Sequence, residues 1–266
     1  MFIDFLPEIF IFTFGLCIGS FLNVVICRIE KEEGFVKGRS YCPHCKHTLS
    51  WADLVPVFSF IFLGGKCRYC HKKISVQYPL VEMLTGLVFL LIFNLSYPGV
   101  LFTDAFSILS GLNLLFLLYV FSSLIIIFIY DLKYFLIPDQ VLFPAIIVAF
   151  LYRLLQTGTI WNFVFAVLLA SGFFLSIFLI SKGKWMGFGD VKLAILLGLL
   201  LGFPNILTGL FLSFAFGAII GIILILLSKN GLKSEVPFAP FLIAGTFAAM
   251  FFGDIIIQWY AHILLF

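Results

Sequence analysis

Apolar runs of about twenty residues recur along this chain, and they constrain its fold more than any other feature, because that is the length a helix needs to cross a bilayer. Eight candidate spans follow: about 7–27, 79–96, 107–130, 139–155, 160–181, 190–203, 205–228 and 238–264. The sixth is short, Pro204 and Asn205 make the turn after it, and 190–228 can also be read as one long broken hairpin. Of the 266 residues, 63% are hydrophobic and 11% charged. Soluble domains are roughly half apolar and about a quarter charged, so a soluble globule is excluded. The fold class is an all-α polytopic membrane protein. Asp4 and Glu8, rather than a basic segment, flank the first run, which reads as a permanent helix and not a cleaved signal.

The basic residues test the span count. With eight helices, loops 28–78, 131–138, 182–189 and 229–237 share one face, and with Lys192 they hold fifteen of the sixteen Lys and Arg residues. Only Arg153 falls opposite. Positive charge stays on the cytosolic side, so that face is cytosolic and both termini lie outside. Three parts result: a first transmembrane helix at 1–27, a cytosolic loop at 28–78, and a set of transmembrane helices at 79–266.

The loop is too small for a large core of its own and needs a staple. It carries Cys42-Pro43-His44-Cys45, twenty-one residues, then Cys67-Arg68-Tyr69-Cys70. Two C-x-x-C pairs at such a separation suit a tetrahedral zinc ion with four thiolates. A redox dithiol pair or two disulfides are the rival readings, and a reducing cytosol disfavours disulfides. Four thiolates leave no open position for water, so the zinc is structural. His44, His47 and His71 read as solvated neighbours, and Cys17 and Cys27 as small apolar fillers in the first helix. The loop has nine basic and four acidic residues. Charge sidedness and nearby anionic lipid account for that excess without a nucleic-acid partner.

Ionisable residues at membrane helices are costly and few: Glu82, Asp131, Asp139, Asp190 and Asp254, with Arg153 and Lys192 as bases. Asp131 ends the third span, and Asp190 opens the sixth after Gly187-Phe188-Gly189, both at the cytosolic boundary. Two carboxylates brought within a few Å cannot both carry charge, so they share a proton. One then takes a proton from water while the other donates to a scissile carbonyl, and the roles exchange as the amine leaves. Gly187 and Gly189 are expected to permit positive φ and close approach by a peptide. The alternatives are that Asp139 and Asp190 are helix N-caps, or that the acids serve transport.

These residues carry a resemblance. Gly19-Ser20-Phe21-Leu22-Asn23-Val24 with Arg28, the cysteine loop with Trp51 and Pro56, Tyr78-Pro79-Leu80-Val81-Glu82, Asp131 with Ile137-Pro138-Asp139, Gly187-Phe188-Gly189-Asp190, and Pro237-Phe238-Ala239-Pro240 occur in this order. Together they resemble the type IV prepilin leader peptidases, membrane aspartyl enzymes of the G-x-G-D type, from about residue 15 to 242. Glu30 stands where proline is common and Ala239 where glycine is common; neither touches the acid pair. The resemblance implies Asp131 and Asp190 as catalytic residues. The implied substrates are prepilins or pseudopilins, cut after the glycine that ends a short basic leader at the cytosolic face of the bacterial inner membrane. It also implies N-methylation of the new terminus with S-adenosylmethionine, favoured by the presence of all four cysteines. No dinucleotide fingerprint accompanies Gly183, Gly187 and Gly189.

Glu82, one turn into the second span, is a candidate for binding the amine or for the methyl-transfer site; an interfacial carboxylate is the plainer alternative. Gly15 and Gly19 form a G-x-x-x-G helix-packing step, Asn23 is expected to bond to a neighbouring helix, and Asp254 reads as a satisfied polar residue. The competing functions are a proton-coupled transporter relaying through Asp131 and Asp190 with a zinc-stapled gate, and a non-catalytic zinc scaffold. The scaffold leaves Gly187-x-Gly189-Asp190 unexplained.

Overall fold

The computed structural model describes residues 6–34, 38–97, 108–156, 160–227 and 236–264. Its helices are α1 (Leu6–Glu30), α2 (Phe58–Phe62), α3 (Gln77–Ser96), α4 (Ile108–Tyr134), α5 (Asp139–Leu155), α6 (Ile160–Ser181), α7 (Phe188–Leu201), α8 (Asn205–Leu227) and α9 (Ala239–Leu264). All but α2 lie on the eight expected runs. Six of them are long and apolar enough to cross a membrane. α5 has 17 residues and α7 has 14. At 1.5 Å per residue, α7 is about 21 Å long, short of a hydrocarbon core of about 30 Å.

The chain divides into two compact units, Met1–Ile126 and Ile127–Phe266. In the first, α1 packs along α3 through small residues. A Cβ on Gly15 would come within 2.8 Å of the Gly86 Cα, and one on Gly19 within 2.7 Å of the Glu82 Cα. Such contact is possible only where glycine removes the side chain, and dispersion over the joined backbones replaces the hydrophobic drive that lipid does not supply. Asn23 supplies the polar link: its Nδ2 donates to the Tyr78 carbonyl at 3.1 Å, and Gln77 Nε2 donates to its Oδ1 at 3.4 Å.

In the second unit α7 touches α5, α6, α8 and α9. Its run Phe-Gly-Asp-Val-Lys-Leu-Ala-Ile-Leu-Leu-Gly-Leu-Leu-Leu has no polar face, as expected of a helix enclosed on all sides, and most of it is buried. Gly198 allows α6 to close in, since a Cβ there would lie 2.8 Å from the Val167 Cα. The far end of α7 meets Arg153, the one base outside the group of fifteen that the sequence places on one face. Its guanidinium donates to the Leu199 and Leu200 carbonyls at 2.9 and 2.8 Å and lies 4.0 Å over the Phe163 ring. Those carbonyls belong to the last helical turn, where acceptors lack intrahelical partners and a cation interacts well with the dipole. α8 and α9 pack through Gly209, Ser213 and Gly245; a Cβ on Gly245 would sit 2.7 Å from the Gly209 carbonyl oxygen. Asp254 accepts from Asn205 Nδ2 at 3.1 Å, as its reading as a satisfied polar residue requires.

Candidate active site and metal centre

Asp131 and Asp190 belong to the same unit, and both are buried, 5% and 8% exposed. Asp131 lies in the last turn of α4, which ends as Phe135 takes a φ of 56° and returns its amide to the Asp131 carbonyl at 2.9 Å. The chain then passes Ile137 and Pro138 into α5. Asp190 is the third residue of α7. The two carboxylates are close enough to interact electrostatically. Each also faces the start of a helix: the Ala239 amide, first in α9, lies against Asp131, and the Gly187 amide lies against Asp190. Amides in a helix's first turn lack intrahelical acceptors and can bond a carboxylate oxygen. The ion pairs among the described residues, Arg68–Asp53 and Lys192–Asp139, involve neither acid. Two adjacent acids without a cation can divide the labour of general acid and general base.

The flanking residues depart from what the sequence suggests. The N-cap positions belong to Pro138 and Gly187, not to Asp139 and Asp190. Proline fixes its φ in the extended range a cap needs, so Asp139 becomes the first helical residue and pairs with Lys192 instead. Neither glycine of the Gly187-x-Gly189 pair adopts positive φ: Gly187 has φ −75°, and Gly189 is helical. Gly189 is closely packed instead: a Cβ there would sit 3.2–3.4 Å from Ile137 side-chain atoms, which would have to yield by a few tenths of an ångström. A Cβ on Gly187 would meet only the Gly189 nitrogen at 3.9 Å and Asp190 Oδ2 at 4.0 Å. The space beside that carboxylate therefore stays open.

The cysteine loop forms a second site, in the first unit. Its halves repeat with an offset of 25 residues (67 − 42). Cys42 N donates to His47 O at 3.0 Å as Cys67 N does to Lys72 O at 2.9 Å. Lys46 and His71 take φ of 58° and 57° at matching positions. Bridges Tyr41–Thr48 and Lys66–Lys73 close each knuckle. The Sγ atoms of Cys42, Cys45, Cys67 and Cys70 all lie within 4.8 Å of one another, and Cys42 to Cys70 is 3.9 Å. A tetrahedral zinc with bonds of about 2.3 Å places its sulfurs about 3.8 Å apart, so the quartet fits a metal ion. Burial opposes ionisation of the Cys42 thiol, but the Cys45 and His44 amides and the neighbouring thiols outweigh it, lowering its pKa to about 7. Around Cys70, the Lys72 backbone favours the thiolate, but desolvation and the other three thiols prevail and push its pKa up to about 11.

His44, His47 and His71 are exposed, as expected; the His47 ring packs against Tyr69 at a 42° tilt with centroids 3.7 Å apart, joining the knuckles. Cys27 does more than fill space, since its sulfur meets the Tyr78 hydroxyl at 3.5 Å. Asp53 was not anticipated. It accepts from Arg68 Nε at 2.6 Å, Ser50 Oγ at 2.7 Å and Tyr69 OH at 3.2 Å. Burial opposes its ionisation, but these donors hold its carboxyl below the usual carboxylate range. Its position three residues after Ser50 is the capping-box spacing that could have flagged it.

Glu82 is buried in α3 and accepts the Val57 backbone amide at 2.7 Å, with the Ser20 hydroxyl also in contact. It thereby ties the loop to both α1 and α3. Arg28, at the end of α1, donates to the Gly34 and Gly38 carbonyls, each at 3.1 Å, and so fixes where the loop departs.

A buried pair of aspartates at helix ends in one unit, and a four-thiol loop in the other, on an all-helical membrane scaffold, define a class of intramembrane acid-pair proteins. Sequence comparison narrows that class. Residues 13–95 match the bacterial peptidase A24 N-terminal domain, and residues 118–222 match the type IV leader peptidase family. A prepilin leader peptidase/N-methyltransferase of Bacillus subtilis (strain 168) is 34% identical over 260 residues, covering 96% of this chain and 98% of the relative. Proteins of the same name from Aeromonas hydrophila and Legionella pneumophila are 34% and 30% identical, covering 94% and 93% of this chain and 92% of each relative. No solved structure matches. The chain belongs to the type IV leader peptidase family.

Proposed function

We propose that this protein removes the leader from type IV prepilins or pseudopilins at the cytosolic membrane face, with Asp131 and Asp190 as the catalytic pair, and then methylates the new N-terminus. The observation that carries the reading is the pair itself: two buried carboxylates of one unit, Asp131 at the end of α4 and Asp190 at the start of α7. The ionised member takes a proton from water, which attacks the scissile carbonyl, and the protonated member donates to the carbonyl oxygen. As the tetrahedral intermediate collapses, a proton passes to the departing amine and the acids return to their starting states. The amides of Ala239 and Gly187 lie against the carboxylates. The openness at Gly187 leaves room for the peptide backbone. The same adjacency disfavours the transporter, because a relay needs acids stepped through the bilayer.

Cys42, Cys45, Cys67 and Cys70 would hold one zinc ion, which supplies a structural cross-link and no chemistry at the peptide. S-adenosylmethionine is the methyl donor that the family resemblance suggests. No cluster of described residues singles out its place, and the hydrolytic steps do not involve it. Glu82 would hold the amine at the methyl-transfer step, its link to the loop through Val57 placing the zinc module and that step in one assembly. The charge distribution and the relatives' bacterial origin support a multi-pass protein of the cytoplasmic membrane with the acids on the inner side. Purified protein incubated with a prepilin-like substrate tests the reading. Leader release with a methylated new terminus is expected, and an intact substrate contradicts it.

A further inference from the structure

The short helix α2 turns its apolar stripe outward. Phe58, Ile61 and Phe62, at i, i+3 and i+4, share one face and are 57%, 64% and 85% exposed. Phe60 points the other way, its ring 3.1 Å from where a Gly65 Cβ would be. The adjoining 3₁₀ turn, Trp51–Asp53, packs on α2 and leaves Trp51 83% exposed. A soluble module would hide these side chains in its core.

Two further observations say what covers them. First, the chain just before α2 is pinned to a membrane helix. The Val57 amide bonds to Glu82, five residues into α3, which is about 8 Å along that helix. The stripe therefore starts at the depth of the first turns of α3, at headgroup level. Second, the surrounding charge is positive. Between 51 and 76 stand Lys66, Arg68, Lys72 and Lys73 against Asp53 alone, a net of +3 (four minus one), and Asp53 is occupied by Arg68. Aromatic and branched apolar side chains beside exposed lysines match the boundary of an anionic bilayer.

We infer that Trp51, Phe58, Ile61 and Phe62 form a wedge by which the cysteine module docks on the acidic lipid surface. The wedge fixes the module's height and tilt, so that the thiol cluster does not swing freely on its two chain connections. This does not depend on the catalytic reading and adds a lipid partner to it.

Full-length protein with Trp161→Phe, Trp185→Phe and Trp259→Phe keeps Trp51 as its sole tryptophan. It is reconstituted into phosphatidylcholine–phosphatidylglycerol vesicles with or without bromine on the acyl chains. Bromolipid is expected to cut Trp51 emission by roughly half. The effect should shrink in vesicles lacking phosphatidylglycerol and on adding Ile61→Glu with Phe62→Glu, with metal content unchanged. Trp51 emission indifferent to bromolipid but open to aqueous acrylamide overturns the inference. So does shielding from both quenchers, which means that protein and not lipid covers the patch.

Discussion

At the residue scale, four acids near helix ends differ in their surroundings. Asp131 and Asp190 are buried, face backbone amides and pair with no cation among the described residues. Asp139 pairs with Lys192 and its side chain is 52% exposed. Such a pair contributes about 0–1 kcal/mol. Asp139→Asn should therefore leave cleavage within about fivefold of wild type, read from kcat/KM on a prepilin substrate, since about 1 kcal/mol corresponds to a factor of about five. A loss of several orders of magnitude would mean that Asp139 belongs to the reacting group. Glu82 differs again, spent on the Val57 amide. The four cysteines and the two buried acids were legible because spacing and cost single them out. The amides that hold the acids were not, because Ala239 carries no side-chain signal and meets Asp131 only after more than a hundred intervening residues fold.

At the element scale, the helices were legible because length and apolarity set them. The runs 139–155 and 160–181 coincide with α5 and α6. α1 outruns its expected end because Arg28 remains helical and turns its guanidinium to the loop carbonyls. What α7 rests on was not legible: Arg153 stood out as the stray base, yet nothing in the chain said it would cover the end of the helix that carries Asp190. The start of α9 offers a test. Ala239→Pro removes the amide facing Asp131 at a first helical position, where proline is tolerated. Losing a hydrogen bond to a charged group costs about 1.5–3 kcal/mol, so cleavage should fall by roughly ten- to a hundredfold. Ala239→Gly keeps the amide and should stay near wild type; equal loss in both would show that the amide is not what matters. In the loop, Cys42→Ser with Cys67→Ser should abolish metal binding and raise protease sensitivity, since structural zinc contributes on the order of 10 kcal/mol to small modules. Elemental analysis that finds about one zinc per wild-type chain and none in the variant is the expected outcome; wild-type protein purified without chelator and free of zinc would overturn the assignment.

At the scale of the whole molecule, the thiol loop and Glu82 lie in one unit and the two buried acids in the other, and the proposed function assigns them different chemistry. Hydrolysis needs two acids and one water, whereas methyl transfer gains mostly from alignment of a neutral amine with a methyl donor. Asp190→Asn should accordingly still methylate a pre-cut, membrane-bound pilin with labelled S-adenosylmethionine. Failure of transfer by a folded, zinc-loaded variant would mean that the two activities share one site. The central claim is narrower: Asp131 and Asp190 act as one pair on the leader peptide bond. Cleavage of a full-length prepilin by wild type, Asp131→Asn and Asp190→Asn, each reconstituted and shown to be folded by its helical circular dichroism and thermal unfolding, is the test. The account predicts leader release by wild type and a loss of at least about a thousandfold in either single variant, because one acid cannot serve as both donor and acceptor in the same step. Near-normal cleavage by either variant would contradict it.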